Sequence, residues 1–207
     1  MLASVAAYGQ NVISRKTNVV NTASASNKGR GKTQQMSVTL PAINWGKVIS
    51  KDKERLEDDR QKSLYFLNNK LRKDASFLNE VPEVRNLLQQ EPLTLNPNEL
   101  LSFKQVRSIQ VDDSGIFSYD FFRCRFIKRG RNVFFEKTSG SQRKSGYLYY
   151  NDDKSTIFLG GWSVNSDPQT SYGSENSEAG TLYKISSSKL LMVFWYGNGF
   201  ELFEIIK

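Results

Sequence analysis

The chain has 207 residues, 38% of them hydrophobic and 24% charged, with a net charge of +8. That suits one packed domain with an appended segment. It contains no histidine and one cysteine, Cys124. A Ser-His-Asp or Cys-His enzyme, a Cys/His zinc site and an intramolecular disulfide are therefore excluded within one chain.

The positive charge is unevenly placed. Residues 1–40 carry Arg15, Lys16, Lys28, Arg30 and Lys32 and no acid. Most of the excess therefore lies outside the segments that pattern as folded, which makes nucleic-acid binding by the fold unlikely. The start, Met1–Ala7, reads either as a secretory signal remnant without its basic region or as an ordinary N-terminus. Residues 1–39 are read as a disordered tail, because Asn21–Gln35 is polar and aperiodic. The Lys28–Lys32 run is able to touch phosphates, but its composition is that of a solvated linker. No stretch reaches the ~18 apolar residues of a membrane span.

Residues 40–96 pattern as a helical segment. Ser50 is placed as an N-cap, and Leu56, Leu64, Leu67, Leu71 and Leu78 recur near helical spacing, predicting one amphipathic helix over 50–78. Asp58 and Asp59 are adjacent in sequence and are read as solvated surface. Glu80–Leu88 predicts a short second helix with Pro82 in its first turn. Asn96-Pro97-Asn98 marks a boundary.

Residues 97–207 predict an antiparallel β-domain. The periodicity becomes two from Leu100, and turns fall at Asp112–Gly115, Gly130, Thr138–Ser141, Asn151–Lys154 and Gly197–Gly199. One strand is predicted over Ile116–Ile127, with Phe122, Cys124 and Phe126 on one face and Arg123 and Arg125 on the other. Asn165–Gly180 is predicted to be a long polar loop. The fold class is thus mainly β (α+β). About eight strands form an up-and-down meander that closes, or nearly closes, into a barrel to remove its edges, with one or two N-terminal helices packed on it. An open sheet or sandwich is the alternative.

Arg123–Lys144 is the local anomaly, with eight basic side chains against Asp120 and Glu136. Arg123 and Arg125, two apart on a strand, can grip a carboxylate or phosphate bidentately. Glu136, Lys137, Ser141, Gln142 and Arg143 extend the candidate through the following strand and loop, whose amides can cradle an anion. Cys124 reads as a buried small hydrophobe. The aromatics Tyr147, Tyr149, Tyr150, Trp162, Trp195 and Tyr196 read as barrel filling rather than base-stacking platforms.

Trp45, Asp52–Leu56, Phe122–Arg125, Phe135–Arg143, Gly146–Tyr149, Phe158–Gly160, Tyr172–Gly173 and Ala179–Gly180 occur in an order that resembles the family called domain of unknown function 4893. The most specific block is Glu136–Tyr149. The resemblance runs from about Trp45 to the end and implies an exported bacterial protein, tilting Met1–Ala7 towards a signal remnant and the location towards periplasmic or secreted rather than cytoplasmic. It also implies that relatives carry a Cys-Arg pair where Val106-Arg107 stands here, so a disulfide available to them is absent. It supplies no activity. Tyr172, in a matching motif, joins Arg123, Arg125, Glu136, Lys137, Ser141, Gln142 and Arg143 as a candidate ligand-binding residue.

The expected function is a non-enzymatic binding module of the cell envelope that recognises an anionic small molecule, glycan or protein through the basic strand-and-loop patch, without a cofactor. One alternative is an inhibitor- or immunity-type protein-interaction factor that uses the Asn165–Gly180 loop. Another is a histidine-independent hydrolase built on Glu136, Glu201 and Glu204.

Overall fold

The computed structural model describes residues 37–207. The signal remnant, the disordered stretch and the Lys28–Lys32 phosphate contact fall outside the described residues. Among the described residues nine strands occur, each antiparallel to the strands it pairs with: β1 (Gln105–Asp112), β2 (Gly115–Ser118), β3 (Phe122–Arg129), β4 (Asn132–Lys137), β5 (Gln142–Tyr150), β6 (Thr156–Val164), β7 (Ser177–Lys184), β8 (Lys189–Trp195) and β9 (Gly199–Ile206). β9 returns to β1 along its whole length, from Gln105↔Ile206 to Asp112↔Gly199. This closes an eight-stranded barrel of β1 and β3–β9, with β2 as an extra strand. Pairing β9 with β1 removes the two free edges that an open meander of these eight strands would expose.

The seam of the barrel corrects one strand. Ile116–Ile127 is not continuous. β2 pairs with β1 up to Ile109↔Ser118, and β3 resumes at Val106↔Phe122. Residues 119–121 thus oppose only residues 107 and 108, the arrangement of a β-bulge. The extra residue keeps Tyr119, Phe122 and Cys124 on the inner side across the break. Cys124 lies in the core as expected, and burial pushes its thiol up to about 12.

The predicted 50–78 helix is two helices, α1 (Ser50–Leu56) and α2 (Asp59–Asn69), with Asp58 between them in the left-handed region at φ 48°. Ser50 is the first helical residue, not a side-chain cap. The break follows from packing. α1 buries Leu56 against Ile157, Leu159 and Ala179, whereas α2 buries Phe66 and Leu67 against Leu191, Val193, Phe200 and Leu202. A single straight helix cannot follow both patches around a curved wall. α3 (Val81–Gln89) forms as expected, with Pro82 in its first turn. Asp59, read as surface, is 1% exposed and accepts a 2.8 Å hydrogen bond from the Tyr183 hydroxyl. Among the described residues no helix is long and apolar enough to cross a membrane.

The barrel interior has two halves. One end is filled by Phe126, Phe135, Phe158, Phe194 and Phe203, and is closed by Leu100 from the 3-10 turn Pro97–Ser102 and by Phe103 just after it. Two inward glycines make room for these rings. A methyl on Gly160 would lie 2.6 Å from Phe158 Cζ, and one on Gly180 would lie 2.7 Å from Phe194 Cδ1. Phenylalanines, not the tyrosines and tryptophans expected, do most of the filling. Trp195 faces outward against Phe66, at 6.0 Å, and Tyr147 packs on Phe134, at 5.0 Å. Toward the other end the inward side chains become polar.

Candidate functional site

The polar end is an open mouth. Period-two alternation brings Ser108 on β1, Lys144 on β5, Glu178 on β7 and Glu201 on β9 inward, together with Tyr196 just after β8. Lys144 Nζ lies 3.0 Å from Glu178 Oε2 and 3.1 Å from Glu201 Oε2, and donates to the Tyr196 hydroxyl at 2.8 Å. That hydroxyl stands 3.2 Å from Glu201 Oε2 and 3.4 Å from Glu178 Oε2. Ser108 donates to the remaining oxygen of Glu201. Lys144, Glu178 and Glu201 are all buried. The ammonium also sits over the Phe194 ring, 4.4 Å from its centroid.

Electrostatics favour the charged forms of Lys144 and Glu201. Burial opposes the Lys144 charge, but Glu201, Tyr196 and Glu178 outweigh it and hold the ammonium well above a lysine's ordinary range. Burial likewise raises the Glu201 carboxyl, yet Lys144 and the hydrogen bonds from Ser108 and Tyr196 bring it below the ordinary glutamate value. Burial, with Glu201 and Glu178 adding to it, pushes the Tyr196 hydroxyl far up against the pull of Lys144.

Above the cluster lies a cavity of about 360 Å³. Gln110, Gln142, Asn198 and Trp162 line it around Lys144, Glu178, Tyr196 and Glu201. Trp162 stays 36% exposed at its wall. Lys144 commits its N–H donors to Tyr196, Glu178 and Glu201, so an incoming molecule meets carboxylate acceptors and side-chain amides.

The basic stretch does not form one face. Gln142 lines the mouth, and Lys137 lies in a smaller cavity beside it. Ser141 sits in the turn just before β5. Arg123 and Arg125 are exposed on the outer wall, where Arg125 pairs with Glu136. Glu136 also accepts from Gln169 at 2.6 Å. Its carboxyl is held low because Gln169 and Arg125 outweigh burial. Arg143 is on strand β5, not in a loop, donates to Asp167 O at 2.8 Å and also lines the mouth. Tyr172 does not line the mouth. Its hydroxyl donates to Asp52 at 2.8 Å and accepts from Ile49 N at 2.9 Å, and burial with Asp52 pushes it up to about 12. It lines a separate outer groove of about 450 Å³ with Tyr147, Tyr149 and Phe134.

The polar loop is shorter than expected, since β7 begins at Ser177, and Gln169, Thr170 and Tyr172 fasten it to the body. Glu136 and Glu204 lie on the outer wall and Glu201 inside, so the three carboxylates do not converge. Sequence reasoning read Tyr196 as barrel filling rather than as a site residue, did not single out Lys144 as an inward group, and missed Glu178. Their alternation with Leu148, Leu182 and Phe194 was the available signal. Among the described residues no three Cys, Asp or Glu side chains gather as a metal-binding group.

A family model described as Domain of unknown function (DUF4893) matches residues 45–207. No curated protein and no solved structure matches the chain.

Proposed function

The chain belongs to the DUF4893 family, whose description assigns no activity, and from its site we propose a binding module that holds a small, hydroxyl-rich molecule of monosaccharide size in the open barrel mouth. The observation that carries this reading is the fixed Lys144–Glu178–Glu201–Tyr196 floor beneath a cavity walled by Trp162. Convergent polar groups in a concave, partly aromatic site are the usual make-up of a ligand pocket. Carboxylate oxygens accept from sugar hydroxyls, and an indole face covers the apolar face of a pyranose ring.

The charge states of Lys144 and Glu201 favour binding over catalysis. A glycosidase needs one carboxyl held protonated near neutral pH and a second one ionised. Glu201 is driven the opposite way from such an acid, and Lys144 remains a cation rather than a nucleophile. The two protein-directed alternatives find less support. The long loop is tied down on the barrel, and the outer arginines are split from Lys137 and Lys144.

Calorimetric titration of the full chain with a panel of monosaccharides tests the proposal. Saturable binding should weaken at least tenfold in Trp162→Ala and in Glu178→Gln. Unchanged affinity in both variants, or binding lost only in Arg123→Glu/Arg125→Glu, would overturn it.

A further inference from the structure

Beside the mouth, the bulge at residues 119–121 opens a side cavity of about 130 Å³ lined by Ser108, Tyr119, Phe122, Lys137, Ser141 and Gln142. Gln142 lines both this cavity and the mouth, so the two adjoin. Lys137 ends β4 and is 6% exposed. Its ammonium donates to Gln142 O at 2.8 Å and lies 4.7 Å from the Phe122 centroid and 5.8 Å from that of Phe203. Gly140, at φ 86°, leaves the space beside it open: a Cβ there would come within 3.4 Å of Lys137 Nζ.

Lys144 is neutralised by two carboxylates, but Lys137 makes no ion pair among the described residues. Burial disfavours its charge. Glu201 opposes that from a distance and Lys144 adds to it. Glu201 is itself already held by Lys144, Ser108 and Tyr196. A buried cation without a counter-ion is unfavourable, and a ligand anion would supply one. The Ser141 hydroxyl and the Gln142 amide offer neutral donors next to it. One ammonium near an existing carboxylate suits a single negative charge better than a dianion.

We infer that this side cavity is a carboxylate subsite, and that the hydroxyl-rich ligand of the mouth is an acid that places its carboxylate against Lys137, Ser141 and Gln142. The inference rests on the mouth-binding reading and names the ligand class, a sugar acid rather than a neutral sugar.

The test is an NMR titration of the 15N-labelled full chain with glucuronate, glucose, acetate and inorganic phosphate at constant ionic strength. Glucuronate should bind at least tenfold more tightly than glucose, and Lys137→Met should remove the difference. Acetate alone should shift the Lys137, Ser141 and Gln142 amides saturably, and Ser141→Asp should abolish that shift. Methionine keeps the lysine stem's packing on Phe122 and Phe203, and Ser141 is exposed, so both variants are compatible with folding. Equal affinity for glucuronate and glucose, or an advantage retained in Lys137→Met, overturns the subsite and leaves the mouth reading standing. Tighter binding of phosphate than of acetate at the same amides overturns the carboxylate assignment. Acetate shifts at Lys137 without any sugar shift at Lys144, Trp162 or Tyr196 would support the subsite and sink the mouth reading.

Discussion

Lys144 sets the energetics of the mouth. Removing one partner of a buried ion pair strands the others, at about 3–5 kcal/mol. Lys144→Met should therefore destabilise the chain by about that much in urea unfolding. Adding Glu178→Gln and Glu201→Gln to it should recover most of the loss, since neutral partners need no counter-ion. Asp59 behaves differently, because burial raises its carboxyl from 3.8 to about 7 and hydrogen bonding only partly opposes this. As pH climbs from about 4 to 7 the unfolded chain loses this proton first, so the folded state binds more protons and stability falls. The penalty is complete above about pH 7 and absent below about pH 4. Asp59→Asn should flatten this slope and raise stability at pH 8 relative to the parent by a few kcal/mol. Thermal unfolding between pH 4 and 8 measures it, and an unchanged slope would contradict the assignment.

The strands depend on the inward glycines. Gly180→Ala forces a methyl to 2.7 Å from Val193 O and the Phe194 ring, which overpacking experience places at about 1–3 kcal/mol. Gly130→Ala, at φ 64° with open space around it, should cost less, about 1 kcal/mol, through backbone strain alone. Chemical denaturation of the two variants checks the order. Element identity was largely legible: the hairpin turns at Gly130 and Gly197–Gly199 and the Pro82 helix start carry strong local chemistry. Which way the strands of the mouth face was not legible. In β9, Phe200 and Leu202 alternate with Glu201, Phe203 and Ile205, so both faces read as apolar. The outer one is apolar because α2 covers it. The α1–α2 break was also hidden, because Asp58 signals neither Gly nor Pro and the turn is dictated by what each helix packs on. The 119–121 bulge had no marker either, since a one-residue slip is a register property shared by two distant strands.

At the scale of the molecule, the barrel is asymmetric along its axis. Phe103, Leu100 and the phenylalanine layers plug one end, and the other opens over a charged floor. The closed meander was expected from short turns and the need to remove edges, and β9–β1 pairing realises it. The grouping of the candidate site was not foreseeable from charge alone, because a run of basic residues on strands is dealt alternately to opposite faces of the wall. That is why Lys144 enters the mouth and Lys137 the adjoining side cavity while Arg123 and Arg125 stay on the outer wall. The most direct measurement is amide chemical-shift mapping of the full chain during titration with a monosaccharide that binds. The account predicts saturable shifts concentrated at Lys144, Trp162, Glu178, Tyr196 and Glu201; shifts centred on Arg123, Arg125 and Tyr172 instead, with the mouth unmoved, would contradict it.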